Sequence, residues 1–545
     1  MVDPRSLHNG SPAQHLSVAF GIALAFVLVI CACLEPRWHS NDDVALSMVA
    51  HGYGLNALSS PNLIFSNVVW GMLVQAIPWV GNTPGYSIAT LGVLVICGAV
   101  IVMALARLGT GTAASIGILL LVLTRPVLFP QFTINAGLLA VAAVASLLVY
   151  ARHRNCFCLF VACLLAFFSF LVRSLEFMFV MLASLPLIPW RQLSRDKWAF
   201  LGTAGLSLAI AGAVLADKQA FNSEHWQVFN ELDPVRAQFT DFGAAIPLAD
   251  SPKILERHNY SRNDINLIKN WFFADPQLVN PETLKSMLDE LGPLPDPTRS
   301  LKNALAGIQA LLHPHLLPLT LSSLLILMLH PCRKVIAAWM ISLALFFALG
   351  LVGRPGVIRV FIPVLTLLLL APLLLQQLQR HIETTSPRWA RALLLALILA
   401  TLWNTYAVVS ESQTIGLRHK KVRDNLKNFP TEPVVVWGNS FPFEAVYGVL
   451  TVKQEPRSFK LYGLGVMTWA PYSHAAVEYH AGRGLVERIM SPEGIPFVAS
   501  TSSLQLLAQY CEEHKDGVLQ ETKRETFGRV ALSWRRCAPS PAQAR

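Results

Sequence analysis

Long apolar runs separated by short polar turns dominate the first three quarters of the chain. About eleven runs are each about 15–21 residues long, and about 20 residues are needed to cross a bilayer as a helix. They cover 16–34, 86–106, 111–129, 133–150, 156–172, 176–190, 198–216, 313–330, 334–352, 357–377 and 390–409. The first run is read as a retained helix, because no convincing cleavage pattern follows it. The pattern predicts an all-α polytopic membrane protein with about eleven transmembrane helices.

The stretch 61–80 is ambiguous, because it is apolar enough to be another span. If it lies on the outer surface as an amphipathic helix, every basic turn falls in the cytoplasm, as the positive-inside rule requires. Those turns carry Arg107, Arg152, Arg154, Arg191, Arg195, Lys197, Arg333, Lys334, Arg380, Arg388 and Arg391. We therefore expect a cytoplasmic N-terminus and a periplasmic C-terminus in a bacterial inner membrane. The basic cluster 418–423 on the outer side counts against this orientation.

Three outer segments remain under this topology: 35–85, 217–312 and 410–545. In the last of these, the run Val434 to Gly438 is typical of a buried strand closed by glycine, and Val530 to Trp534 predicts a final strand. Helical patterns near 475–490 and 502–514 lie between them. We expect a membrane domain at 1–409 and a periplasmic α/β domain at 410–545.

Composition excludes an ordinary soluble enzyme and a disordered chain. Of the 545 residues, 53% are hydrophobic and only 14% are charged, whereas soluble domains average about 25% charged. The net charge of +10 is assigned to cytoplasmic loops and membrane lipids, and not to nucleic-acid binding. Cys511 and Cys537 are the two cysteines far from apolar runs, which suggests a disulfide in an oxidising compartment.

Two adjacent carboxylates, Asp42 and Asp43, follow the first apolar run. One interpretation is that Asn41 or Asp42 is the N-cap of the short helical pattern from Val44 to Ala50. The other is chemical: a carboxylate at this place acts as a general base on an acceptor hydroxyl, or the two hold a divalent cation. We favour Asp42 as the base, since Asp43 suits the first turn of the helix that follows.

Arginines change the balance between these interpretations. Four are expected at the outer surface that carries the aspartates: Arg125, Arg173, Arg354 and Arg359. Charges at such depths are costly and usually have a partner or a function. An acid such as Glu176, lipid headgroups or snorkelling would account for one or two of them. Because phosphate suits the guanidinium group, four at one surface favour a phosphate-binding role.

Polar and aromatic residues near the aspartates are candidates for binding a sugar: His51, Tyr53, Asn67 and Trp70. Interfacial anchoring is the alternative for the tryptophan. The chain carries no Walker-type loop, dinucleotide fingerprint or H-E-x-x-H motif. Its cytoplasmic turns are too short to hold a nucleotide domain. An activated group would therefore have to come from a lipid carrier that reaches the protein sideways from the bilayer.

The first loop resembles the GT-C superfamily of polyprenyl-phosphate-sugar-dependent glycosyltransferases. The residues that carry the resemblance are Ser40 to Ser47, Gly52-Tyr53-Gly54, Ser66 to Trp70, Leu171 to Ser174, and Arg354 with Arg359 to Pro363. They look like the paired-aspartate motif, the juxtamembrane helices and the outer arginines of bacterial arabinofuranosyl- and mannosyltransferases. The resemblance covers about 15–410. It implies that a first-loop aspartate is the catalytic base and that arginines hold the lipid phosphate.

One departure from the family concerns the start of the fourth span, where some members carry a second acid. Residues 130–137 contain no carboxylate, which leaves a second-acid or metal role there in doubt.

The resulting hypothesis is a membrane glycosyltransferase that moves a sugar from a polyprenyl phosphate to a periplasmic glycan, lipid or protein. Arabinofuranose, mannose and a deoxyhexose remain open as the sugar. A polysaccharide polymerase and a lipid-linked glycan flippase are the alternatives. A transporter would be expected to show midplane charges and internal repeats, and the sequence shows neither.

Overall fold

The computed structural model describes residues 12–108, 112–292, 300–375 and 387–539. Helices form the chain up to the C-terminal sheet. They are α1 (Pro12–Cys33), α2 (Asn41–His51), α3 (Val68–Ala76), α4 (Gly85–Arg107), α5 (Thr112–Leu128), α6 (Phe132–His153), α7 (Cys156–Val172), α8 (Ser174–Ser184), α9 (Trp190–Leu193), α10 (Lys197–Ala220), α11 (Gln227–Thr240), α12 (Ala245–Ala249), α13 (Pro252–Arg257), α14 (Arg262–Lys269), α15 (Pro281–Leu291), α16 (Leu301–Gln309), α17 (Leu317–Leu329), α18 (Arg333–Leu351), α19 (Ile358–Leu375) and α20 (Pro387–Asn425).

Each of the eleven predicted runs is helical. Among the described residues, seven helices are long and apolar enough to cross a membrane, or eight if the pair Leu301–Leu312 and Leu317–Leu329, bent by 79°, forms one span. Three shorter apolar helices, α5, α7 and α8, complete the set. The chain is a multi-pass membrane protein. Arg380, from the last predicted cytoplasmic turn, lies outside the described residues.

Two helices differ in length from their predicted runs. Helix α8 ends at Ser184, before the prolines of the run 176–190, because proline cannot continue a helix. Helix α20 has 39 residues and continues without a break through the basic cluster 418–423. The cluster is therefore the polar end of a helix that projects beyond its apolar section.

The ambiguous stretch 61–80 contains only α3, which has nine residues. A helix of that length rises about 14 Å, roughly half the hydrocarbon thickness of about 30 Å. Helix α3 is too short to cross the bilayer, which agrees with the interpretation that 61–80 lies on the membrane surface.

The C-terminal part folds into an α/β domain with a five-stranded sheet. Its elements are β1 (Val434–Trp437), α21 (Phe443–Val446), α22 (Gln454–Arg457), β2 (Leu461–Leu464), α23 (His474–His480), α24 (Leu485–Met490), β3 (Ile495–Val498), α25 (Thr501–Lys515), β4 (Gly517–Phe527) and β5 (Val530–Pro539). The strand order is β2-β1-β3-β5-β4. Strand β1 is parallel to β2 and β3, while β5 is antiparallel to both of its neighbours. The two predicted strands, β1 and β5, are confirmed.

Strand β1, an interior strand of the sheet, is buried on both of its faces, which explains its unbroken apolar sequence. Val434 and Val436 belong to the core shared with the membrane helices. Val435 and Trp437 belong to a second core, built together with helices of the segment 217–312. That segment therefore packs onto the sheet, and the sheet lies between it and the membrane part.

Backbone hydrogen bonds from β2 and α23 join the C-terminal domain to the segment 35–85. The Leu461 N–H donates to the Gly54 carbonyl at 2.9 Å, and the His474 N–H donates to the Leu55 carbonyl at 3.1 Å. On the far side of the sheet, Cys511 and Cys537 form a disulfide between α25 and β5, with Cα atoms 5.7 Å apart.

Candidate active site

A cavity of about 710 Å³ lies where the membrane helices meet the C-terminal sheet. Its walls come from three parts of the chain that are far apart in sequence. The membrane part contributes Asp42, Phe65, Phe132, Arg173, Arg354 and Arg359. The segment 217–312 contributes Arg236, Asp241, Asn270 and Trp271. The sheet contributes the turns that follow β1, β2 and β3.

Of the two adjacent aspartates, Asp42 faces the cavity. Its Oδ2 accepts a hydrogen bond from Nη1 of Arg359 at 3.1 Å. The two side chains remain 33% and 30% exposed, so the pair is oriented but still reachable from the cavity. A carboxylate oxygen in this position can accept a proton from a hydroxyl group of a bound ligand.

Asp43 points the opposite way and is fully buried. Its Oδ1 accepts hydrogen bonds from the Phe132 backbone N–H at 2.9 Å and from the Tyr86 hydroxyl at 3.1 Å. Its Oδ2 accepts from the Ser40 hydroxyl at 3.2 Å. Since Phe132 is the first residue of α6, the carboxylate lies at the positive N-terminal end of that helix. Asp43 thus supplies a carboxylate at the start of the fourth predicted span, where residues 130–137 have none.

The capping interpretation, with Asn41 or Asp42 as the N-cap of the helix that follows, was wrong. Helix α2 begins at Asn41, its N-cap residue is Ser40, and no side chain makes the capping hydrogen bond. Asp43 instead binds the N-terminus of another helix, which is 89 residues away in sequence. A local pattern could not show this partner.

The Asp43 carboxyl gives a testable pH dependence of stability. Burial raises its pKa to about 7, although the hydrogen bond from Phe132 opposes the shift; in an unfolded chain the pKa is about 3.9. Between about pH 4 and pH 7 the folded protein then binds more protons than the unfolded chain, so the free energy of unfolding falls as pH rises. Asp43→Asn removes this titration, and its melting temperature should decline less across that window.

Thermal unfolding of the purified protein, followed between about pH 4.5 and pH 7.5, measures this effect. Asp250→Asn, at an exposed surface ion pair, is the matched control and should follow the wild type. An Asp43→Asn variant with the wild-type slope would contradict the assignment.

Arg173 is held by aromatic rings and not by a carboxylate. The centre of its guanidinium group lies 5.0 Å from the Phe132 ring centroid and 5.7 Å from that of Phe65. Cation–π contacts of this kind fix the plane of the group and leave its N–H edges for an anion. Glu176, its predicted alternative partner, is buried, and in the described part of the chain the two form no ion pair.

Arg354 lies on the turn between α18 and α19. Its guanidinium centre is 5.9 Å from the Phe242 ring centroid, and no carboxylate among the described residues forms an ion pair with it. Two glycines of this turn, Gly353 and Gly356, have φ angles of +84° and +71°, a region that side chains disfavour. The three arginines that the membrane part contributes to the cavity therefore differ: Arg359 is paired, Arg173 is clamped by rings, and Arg354 lies on a tight turn.

Arg125 does not join the other three arginines. It is buried, its Nη1 donates to Glu411 at 2.8 Å, and its Nη2 lies 2.7 Å from Nδ1 of His315. These contacts tie α5 to α20. The predicted phosphate-binding role is therefore withdrawn for Arg125, because its charge is already paired outside the cavity wall.

His51 and Tyr53, predicted to bind a sugar, point into the protein. Nε2 of His51 accepts the Tyr86 backbone N–H at 2.9 Å, and burial lowers the His51 pKa to about 4. The Tyr53 hydroxyl shares a hydrogen bond of 2.8 Å with Ser47. Neither side chain lines the cavity.

Asn67 and Trp70 also have structural partners. Asn67 caps α3 through the Val69 N–H. The Trp70 ring is buried against Phe168, with ring centroids 6.3 Å apart. Both residues hold α3 in place and neither lines the cavity, so they have no part in the function proposed below.

A divalent cation at the aspartate pair stays a prediction. Both Asp43 oxygens already accept hydrogen bonds, which leaves Asp42 as the carboxylate with room for a ligand. Within the described ranges, the one cluster with metal-ligand spacing is Asp264, Glu513 and His514, where α14 of the segment 217–312 meets α25 of the C-terminal domain.

Several cavity residues escaped the sequence-based prediction. They are Arg236, Asp241, Asn270 and Trp271 on the loop segment, and Asn439 after β1. For Asn439 a signal existed, because turns at the carboxyl ends of parallel strands commonly bind ligands. No comparable signal marks the loop residues, since their place depends on how the segment 217–312 packs on the sheet.

No protein-family profile and no curated protein sequence matches the chain. Among solved structures, the chain is similar to the crystal structure of ArnT from Cupriavidus metallidurans bound to undecaprenyl phosphate. The TM-score is 0.39 at 12% sequence identity, and the match covers 95% of this chain and 98% of the other.

Proposed function

We propose that this protein is a membrane glycosyltransferase that moves a sugar from a polyprenyl phosphate to an acceptor hydroxyl. One observation carries the proposal: Asp42 and the arginines at 173, 354 and 359 line one cavity at the edge of the helical membrane part. On this side, the cavity offers a proton acceptor, Asp42, beside an anion-binding surface. The first-loop resemblance to GT-C enzymes points to the same chemistry.

In the proposed reaction, the oxygen of the acceptor hydroxyl bonds to the anomeric carbon of the sugar, and Asp42 takes the proton of that hydroxyl. The bond between that carbon and the phosphate oxygen breaks, and polyprenyl phosphate leaves with the electron pair. Negative charge grows on the phosphate in the transition state, so preorganised arginines stabilise it more than the ground state. Asp42 therefore acts on the attacking hydroxyl group, and the arginines act on the leaving phosphate, in the same displacement reaction.

Asp43 acts as a positioning residue in this scheme. It binds the backbone N–H of Phe132, and the ring of Phe132 in turn supports the guanidinium group of Arg173. The adjacent aspartates thus have separate tasks: Asp42 meets the acceptor, and Asp43 fixes the helix start beneath an arginine.

We further infer that the cavity opens on the periplasmic side of a bacterial inner membrane, with residues 1–409 as the membrane domain and 410–545 as a periplasmic domain. Two observations support this orientation. The basic turns follow the positive-inside rule, and a disulfide such as Cys511–Cys537 persists in an oxidising compartment.

Product analysis in proteoliposomes tests the proposal. Full-length protein is supplied with radiolabelled polyprenyl-phosphate arabinofuranose, mannose or deoxyhexose, together with an acceptor extract of cell-envelope glycans and lipids. We expect release of free polyprenyl phosphate and transfer of label to the acceptor for one of these donors. A flippase would move the donor across the bilayer intact, and that outcome would refute the transferase assignment.

A further inference from the structure

The sheet side of the cavity is built from the carboxyl ends of three parallel strands. Strand β1 lies between β2 and β3. The chain therefore runs from β1 to its neighbour β2 on one side, and then crosses to β3 on the other side of β1. The gap between β1 and β3 is the switch point at which α/β sheets commonly bind ligands. Gly438, Asn439 and Ser440 after β1, and Ser500 and Ser503 after β3, line the cavity there.

This switch point lies next to the proposed base. Nδ2 of Asn41 donates to Oδ1 of Asn439 at 2.8 Å, and Asn41 directly precedes Asp42 in α2. A ligand held by the turn after β1 is therefore close to the carboxylate of Asp42.

Trp271 provides an aromatic surface on the same side. It lines the cavity and is only partly buried. Its φ angle is +69°, an outlier for a bulky side chain at a place just beyond α14 where glycine is favoured. Arg236 packs on one face of the ring, with its guanidinium centre 5.0 Å from the ring centroid. Backbone strain of this kind, a positive φ angle at a bulky residue, is common where a protein holds a ligand.

The two sides of the cavity differ in charge. Three arginines and one aspartate line the membrane side. On the sheet side the charged residues are Arg236 and Asp241, which lie 3.9 Å apart, and Arg236 also pairs with Asp233. An anion is thus directed to the membrane side, while the sheet side suits an uncharged group rich in hydroxyls.

We propose that the sheet side is a subsite for an uncharged acceptor carbohydrate, which stacks on Trp271 and is hydrogen-bonded by the turns after β1 and β3. This inference rests on the proposed function and adds the class of acceptor. A sugar ring has an apolar C–H face and a rim of hydroxyls, which match an aromatic face and a rim of amides and serines. The cavity volume lies within the range of about 300–1,000 Å³ typical of such sites.

Binding measurements on the full-length protein in lipid nanodiscs test this subsite without sugar-headed detergents. The probes are short neutral mannan, galactan and arabinan fragments, titrated in the presence of saturating undecaprenyl phosphate. At least one neutral fragment should bind. Trp271→Ala should weaken it at least about tenfold, and Trp271→Phe should retain most of the affinity. Trp198→Ala, at an exposed tryptophan outside the cavity, is the matched control and should bind as the wild type does.

Asn439→Ala provides a second variant if Trp271→Ala does not fold, and it should also weaken the fragment. The subsite is overturned if no neutral fragment binds, if phosphorylated glycans bind better, or if undecaprenyl phosphate displaces the fragment. Undecaprenyl phosphate binding is measured separately and should be unchanged in Trp271→Ala. If the wild type does not bind undecaprenyl phosphate, the proposed function is refuted. If it binds undecaprenyl phosphate but no carbohydrate, this subsite alone is refuted.

Discussion

Replacing Asp42 with asparagine should lower the rate of sugar transfer at least about 100-fold, the scale of a lost general base. Asparagine keeps the shape of the side chain, and its amide oxygen can still accept the hydrogen bond from Arg359. The variant should therefore fold and insert normally, and the loss should appear in the chemical step. Transfer from the radiolabelled donor, with expression matched, measures it.

Two further variants make the Asp42 result specific. Asp43→Asn should keep most activity, because the amide oxygen can still accept the Phe132 N–H. Asp250→Asn, at an exposed ion pair outside the cavity, should match the wild type. If Asp42→Asn is fully active, Asp42 is not the base and the proposed reaction is wrong as written.

Arg173→Ala should reduce transfer by about 100- to 1,000-fold, comparable to the loss of one oxyanion-stabilising donor. Arg173 forms no ion pair among the described residues, so its loss should act mainly on phosphate binding. Because its charge also acts on the buried Glu176, the thermal stability of the variant is measured alongside. Arg173→Lys should restore only part of the activity, because an ammonium group lacks the planar fork that binds two phosphate oxygens. Transfer rate and undecaprenyl phosphate affinity should both decline.

Arg262→Ala is the matched control for Arg173, because its side chain is 71% exposed and pairs with Asp250 on the outer segment. It should leave both quantities unchanged. Normal transfer and lipid binding by Arg173→Ala would mean that Arg173 is only anchored between two rings, and the anion site would have to be sought elsewhere.

The helices were predictable because each apolar run is long and continuous. The errors lie where length alone could not decide. In the run 176–190 the helix ends at Ser184, before the prolines. Helix α20 continues through the basic cluster 418–423, which the sequence pattern indicated as a separate stretch. Strand β1 was recognised by its unbroken apolar run, since it is buried on both faces. Strand β4 was missed because most of its residues are exposed, so it has no apolar face to signal it.

The site could be predicted only in part, because its residues become neighbours through long-range packing. The sequence pattern predicted Asp42 and three arginines, which lie at or just beyond the ends of apolar helices and line one cavity. It could not separate Arg125, because Glu411, its partner, lies 286 residues further along the chain. The position of Trp271 in the cavity could not be predicted for a similar reason, because no local sequence pattern shows which surface a tryptophan in a polar loop will face.

The hydrogen bonds between the first outer loop and the sheet have a mechanical consequence. Leu461 of β2 and His474 of α23 are hydrogen-bonded to Gly54 and Leu55, and the sheet is packed on both faces. We therefore expect the C-terminal domain to move together with the segment 35–85 and not to close over the cavity as a hinged lid, which is a common way for an enzyme to expel water around its reactants. In the proposed reaction, water would then be excluded by the bound substrates and by short segments such as the glycine-bounded turn that carries Arg354.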